Sequence, residues 1–147
     1  MGKVLVVYHS LSGNTEKMAK AVAEGAKSVT GTEVVVKKAL EATLEDLIEC
    51  DGVALGSADY FSYIAGAMKD FFDRTFYPSR GKVDGKPYVA FTTGGGGGDT
   101  CMAVLERICG AFKLKKIIDG VSAGGKISDS DLKACKEAGK KLAEAVK

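Results

Sequence analysis

Residues 4–15 read Val4-Leu5-Val6-Val7-Tyr8-His9-Ser10-Leu11-Ser12-Gly13-Asn14-Thr15. The first five form a short, uninterrupted and largely β-branched apolar run, the pattern of a strand buried on both faces of a parallel sheet. Polar residues follow at once, and from about Asn14 the apolar positions Met18, Val22, Gly25 and Val29 recur at helical spacing. A strand therefore runs straight into a helix through a polar turn.

The same two patterns alternate along the rest of the chain. Glu33-Val34-Val35-Val36, Gly52-Val53-Ala54-Leu55, Tyr88-Val89-Ala90-Phe91 and the shorter Lys116-Ile117-Ile118 read as further strands. Between them, Leu44 to Cys50 forms a short amphipathic piece, Ile64, Met68, Phe71, Phe72 and Thr75 line a helix face, and Thr100 to Ala111 make another helix. Leu132, Cys135, Gly139, Leu142 and Val146 line the last helix, which starts at Ser128 with Asp131 three residues on. Alternation of this kind predicts an α/β fold, with five parallel strands in right-handed connection and helices on both faces. No repeat or linker interrupts it, so residues 1–147 are read as one domain. Ligands of such sheets sit beyond the carboxyl ends of the strands, which directs attention to the loops after the first, third and fourth strands.

Composition removes several classes of function. A surplus of two positive charges, 21 Lys and Arg against 19 Asp and Glu, is too small for a nucleic-acid footprint, and Lys113, Lys115 and Lys116 read as a solvated strand edge. Four cysteines without C-x-x-C spacing and a single histidine complete no zinc set. They suit small core residues of a reduced, cytoplasmic protein. No apolar run is long enough for a membrane span, and the chain enters a strand too soon for a signal peptide. Nineteen glycines in 147 residues, about twice the average share, are the anomaly.

Three hydroxyls, an amide and a glycine fill the first loop, Ser10-Leu11-Ser12-Gly13-Asn14-Thr15. At a helix start, where backbone amides carry about half a unit of positive charge, this set suits a phosphate group held without cations. An ordinary Ser or Asn helix cap is the plain alternative. Neither the G-x-x-x-x-G-K-[ST] pattern nor an adjacent metal-binding acid is present, which speaks against nucleotide hydrolysis. The second loop, Ser57-Ala58-Asp59-Tyr60-Phe61-Ser62, continues into Tyr63 and so places three aromatics where solvent is expected. A planar ring stacked on Tyr60 or Phe61 accounts for them, although one at least is expected to cap the core.

Five glycines in succession make the third loop, Thr92-Thr93-Gly94-Gly95-Gly96-Gly97-Gly98-Asp99. Without side chains, its backbone can approach a ligand closely. The G-x-G-x-x-G dinucleotide fingerprint fails, because its third glycine falls on Asp99 and the run follows the wrong strand. A terminal phosphate, a polar spacer and a flat ring bearing carbonyls meet all three demands together, and that ligand is flavin mononucleotide (FMN).

Tyr8-His9-Ser10-Leu11-Ser12-Gly13-Asn14-Thr15 resembles the phosphate-loop signature of flavodoxins. The resemblance implies a three-layer flavodoxin-like sandwich with strand order 2-1-3-4-5. It places Ser10 to Thr15 on the FMN phosphate, and the second loop with Thr92, Thr93, Gly94, Gly95, Gly96, Gly97 and Asp99 around the ring. Departures are plain too. Typical flavodoxins are acidic and sandwich the ring between Trp and Tyr, whereas this chain has no Trp and no aromatic in the third loop. Gly56 to Ser62 with Ala65 to Asp73 is instead similar to NAD(P)H-dependent FMN and quinone reductases of the tryptophan-repressor-binding-protein type, without the His that those quinone reductases carry in the third loop.

Two functions follow from the resemblance. One is an electron carrier serving a redox partner protein. The other is a reductase that takes a hydride from NAD(P)H for a small-molecule acceptor, and for which an open ring face is needed. Near-neutral charge also predicts a less negative reduction potential than that of an acidic flavodoxin. A homo-oligomer, in which a neighbour supplies the missing aromatic, is compatible with either. His9 is read as a positioned structural group and Cys101 as a small buried residue. A receiver-type module lacks its acidic pair after the first strand, and a phosphatase loop lacks its Cys and Arg.

Overall fold

A computed structural model describes residues 2–147. Each long apolar run becomes a strand: β1 (Lys3–Tyr8), β2 (Glu33–Lys38), β3 (Gly52–Ala58) and β4 (Pro87–Gly94). The helices are α1 (Asn14–Lys27), α2 (Leu44–Glu49), α3 (Gly66–Ser79), α4 (Asp99–Ala111) and α5 (Asp129–Ala145). All strand pairs are parallel, in the order β2-β1-β3-β4-β5, with β5 (Lys115–Lys116) at the edge. This is the predicted α/β sandwich and strand order.

The fifth position differs from the expected Lys116–Ile118 strand. Only Lys115 and Lys116 pair there, with Pro87 and Tyr88, and a second segment, β6 (Val121–Gly124), resumes the pairing alongside Phe91 to Gly94. Between them Gly120 passes beneath the Met102 side chain, so closely that a methyl group on it would overlap the sulfur and terminal carbon. The chain thus leaves the ladder for a few residues, and Ile117 and Ile118 pack partly buried instead of pairing. Strands β3 and β4 also run further than their apolar cores suggested, because Ser57 and Ala58 pair with Thr92 and Thr93.

Alternation along β1 builds two cores. Leu5 and Val7 face Leu47, Leu55, Met68 and Phe71 on the α2, α3 and α4 side. Val4 and Val6 face Met18, Val22, Phe91 and Leu142 on the α1 and α5 side. Ser128 and Asp131 form the capping box read from the sequence, each side chain bonding the other's backbone N–H at 2.9 to 3.1 Å. On the opposite layer, Lys86 Nζ donates to the carbonyls of Leu47, Ile48 and Cys50 at 2.6 to 2.9 Å, closing the carboxyl end of α2.

Helices α1 and α5 cross at two reciprocal glycines. A methyl on Gly25 would overlap the Lys136 carbonyl, and one on Gly139 would overlap the Val22 carbonyl. Backbone oxygens cannot rotate away, so Gly139→Ala is expected to force the helices apart at a cost of roughly 1–3 kcal/mol. A urea titration checks this through a lower midpoint with an unchanged slope.

Candidate functional site

The carboxyl ends of β1, β3, β4 and β6 surround a cleft of about 310 Å³, near the lower bound of roughly 300 Å³ for small-molecule sites. Leu11, Ser12 and Asn14 line it from the first loop, Ala58, Asp59 and Tyr60 from the second, and Thr93, Gly94 and Gly95 from the third. Gly125, after β6, completes the wall. That residue was not anticipated; the adjacent pair Gly124-Gly125 was its only signal.

At the first loop the expected alternative of a Ser or Asn cap is replaced by something more open. The N-cap of α1 is Gly13, in the left-handed region at φ 97°, and no side chain bonds the helix start. Ser10 Oγ instead accepts from the Gly13 N–H at 3.0 Å, folding the loop back on itself. Tyr8 donates to Glu16 at 2.8 Å, which ties the end of β1 to the first turn of α1. Burial first and this bond second push the tyrosine up to about 12. The amides that open α1 are left without a side-chain cap, the arrangement in which helix starts attract anions, and no Lys or Arg lines the cleft among the described residues.

Thr15 is buried, and its hydroxyl lies 2.9 Å from that of Thr93. Asp59 N–H donates to the Thr93 carbonyl at 2.7 Å, and the N–H groups of Gly97 and Gly125 both donate to the Gly94 carbonyl at 3.0 and 3.1 Å. Asn14 Nδ2 reaches the Gly125 carbonyl at 3.4 Å. Buried Thr92 accepts no ligand-facing role either: its hydroxyl donates to Gly98 O at 3.1 Å and lies 3.0 Å from Ser122 Oγ. Ser57 is similarly occupied, accepting from Ala65 N–H and donating to Ala58 O. These three inward hydroxyls hold the loops together from beneath.

Tyr60 and Tyr63 exchange backbone hydrogen bonds at 3.0 and 3.1 Å across a tight turn. Its central residues, Phe61 and Ser62, take φ of 59° and 60°, values that cost non-glycine residues roughly 1–2 kcal/mol each. Phe61 projects fully into solvent, while Tyr60 is half-buried and meets His9 edge-on at 6.0 Å. Tyr60 is therefore the aromatic that faces the cleft, and His9 lies behind it in an adjoining hollow with Tyr8, Ser10 and Lys38.

Gly95 and Gly96 have ordinary φ and nothing within 4 Å of where a Cβ would be. The fold alone does not require glycine there. Gly97 and Gly98, by contrast, are left-handed, and Gly98 caps α4, leaving Asp99 exposed in its first turn. Cys101 follows, with its thiol 3.6 Å from the Ala58 carbonyl. Burial pushes the Cys50 and Cys101 thiols up to about 11 and Cys135 up to about 12, and raises Cys109 as well. A raised thiol pKa leaves little reactive thiolate at pH 8. The native protein is expected to resist a water-soluble thiol reagent at that pH, with all four cysteines labelled only after unfolding.

The family model for NADPH-dependent FMN reductases matches residues 30–128. A flavodoxin of Aquifex aeolicus is 40% identical over an alignment that covers 99% of this chain and 88% of its own length. An NAD(P)H dehydrogenase (quinone) of Acidithiobacillus ferrooxidans is 36% identical over 69% of this chain and 63% of its own. Among solved structures, a flavodoxin from the domain Archaea superposes with a TM-score of 0.86 at 31% identity, covering 98% of both chains. With a flavodoxin alignment running nearly end to end over the same loops that form the cleft, the chain belongs to the flavodoxin-like, FMN-binding family.

Proposed function

We propose that the protein is an electron carrier working through non-covalently bound FMN. The observation that carries this reading is the start of α1, where an uncapped ring of amides opens into a cation-free cleft. The chemistry of that donor set fits a phosphate dianion, for which several charge-assisted bonds of about 1.5–3 kcal/mol each offset desolvation. The amides of Asn14 and Thr15, with the side chains of Ser12 and Asn14, hold the phosphate. Asp59, Tyr60 and the backbone of Thr93 to Gly95 flank the ring, and Thr15, Ser57 and Thr92 serve as positioning residues beneath it. Gly95 lines the cleft, and open space surrounds the position that a Cβ would take there. When bound, FMN supplies the redox chemistry, and the protein supplies position and electrostatics.

Supporting the carrier reading is the flavodoxin of Aquifex, similar over nearly the whole chain. A second reading, an NAD(P)H-dependent FMN or quinone reductase, is favoured by the wall at Gly94 and Gly95, which holds no aromatic that would cover a ring. Redox partner proteins serve the first, NAD(P)H and a small acceptor the second. Among the described residues no helix is long and apolar enough to cross a membrane. Four free, buried cysteines support a reducing, cytoplasmic setting, and residues 1–147 are taken to act as one domain.

The purified protein is expected to show the visible bands of bound flavin, or to acquire them when FMN is added. Remaining colourless in excess FMN would overturn the cofactor reading. Gly95→Val should leave thermal stability within about 0.5 kcal/mol of the parent while weakening FMN at least about tenfold, about 1.4 kcal/mol, as read by fluorescence quenching. Anaerobic NADPH separates the two functions: a carrier keeps its flavin absorbance, and loss of that absorbance on mixing establishes the reductase.

A further inference from the structure

A second groove, toward the carboxyl ends of α3 and α4, has a volume of about 390 Å³ and shares no residue with the cleft. Phe72, Phe76, Tyr77, Ile108, Ala111 and Phe112 line it. It sits at the opposite end of the sheet: Lys113, next after Phe112, accepts through its carbonyl from Gly85 N–H at 2.7 Å, and Lys115 pairs with Pro87 at the start of β4. The aromatic rings brace one another. Phe76 meets Tyr77 edge-on at 5.2 Å and Phe112 at 5.1 Å, and Phe72 meets Phe112 at 5.5 Å. Phe72 and Phe112 are buried whereas Tyr77 is 73% exposed, so the floor belongs to the core and one wall is a ring left in solvent. Such a trough suits a flat, apolar body.

Its two ends differ in charge. At one, Lys69 and Asp73 neutralise each other at 2.8 Å. At the other, a smaller hollow of about 40 Å³ shares Phe76, Ala111 and Phe112 with the groove and adds Arg80, Lys113 and Asp84. Lys113 stands 4.0 Å from Asp84, which leaves Arg80 as the surplus charge. Arg74, earlier on the same helix, is fully engaged, holding Asp70 at 2.7 Å and the carbonyls of Ala39 and Ala42 at 2.9 Å. Arg80 enters no ion pair and donates no side-chain hydrogen bond among the described residues, and its guanidinium lies over the Tyr77 ring, 6.0 Å from the centroid. A planar fork of free N–H donors beside an exposed ring matches a carboxylate carried on a flat body.

We infer that this groove is a second ligand site, one that takes a small aryl carboxylate, with its rings against Tyr77 and Ile108 and its carboxylate on Arg80. Charge complementarity selects the anion: an ammonium in the same place meets an unpaired cation, and an uncharged ligand forgoes the Arg80 bonds. The FMN reading is not needed for this inference, because no cleft residue takes part.

The test titrates naphthalene-2-carboxylate and, separately, 2-naphthylmethylammonium into the protein in excess FMN, following the backbone amides by NMR. The carboxylate is expected to saturate at one equivalent, to move the amides of Tyr77, Ile108 and Ala111, and to bind at least about tenfold more tightly than the ammonium. Arg80→Gln should abolish that preference, and Tyr77→Ala should weaken both probes. Both side chains are exposed, and an unchanged urea midpoint checks that the variants fold. Equal affinity for the two probes in the wild type, a preference that survives Arg80→Gln, or no binding at all overturns the inference. So do shifts confined to Asp59, Gly94 and Gly95, which place the probe in the cleft. Sedimentation as a dimer that Tyr77→Ala dissociates also overturns it, since the groove then holds a second copy of the chain.

Discussion

Burial of β1 on both faces governs everything else. Its two edges are taken by β2 and β3 and its two faces by helices, so Val4 to Val7 have no route to solvent. Chemistry can emerge only where the strand ends, and the chain must then turn within a few residues to begin α1. The same confinement applies to β3 and β4. Three chain segments therefore discharge their polar residues into one place, and the cleft follows from the sheet being parallel.

What prevents those loops from being loose is the set of hydroxyls below them. Thr15 joins the first turn of α1 to Thr93 at the end of β4, Thr92 holds Gly98 and Ser122, and Ser57 holds Ala65. A buried hydroxyl deprived of its partner costs roughly 1–3 kcal/mol, so each bond penalises displacement of the loop above. Backbone amides and one carboxylate are thereby kept at fixed positions in a cleft that no Lys or Arg lines among the described residues. Such pre-positioned dipoles suit binding of a cofactor whose own chemistry does the rest.

Strands and helices were legible because their apolar period is long and consistent: Val4 to Tyr8, Met18 to Val29 and the Ser128 box gave their places almost to the residue. The edge strand was not, since Val121-Ser122-Ala123-Gly124 is too short and too weakly apolar to read as a strand and pairs only because β4 extends past Phe91. The site was legible as three loops, because hydroxyls, aromatics and glycines are concentrated there. Which of those side chains face the cleft was hidden. Thr15, Ser57 and Thr92 turn inward through contacts to residues up to 78 positions away, and such distant pairings leave no local pattern. Gly125 entered through the same long-range route.

The glycine crossing of α1 and α5 has a mechanical meaning. Gly25 lies eleven residues from Asn14, so at 1.5 Å per residue the helix between them is a rigid arm of roughly 16 Å. Backbone pressed on backbone at one end fixes the axis along which the amides at the other end point. The α5 layer, none of whose described residues lines the cleft, thus acts as the mount on which the cleft-facing end of α1 is aimed.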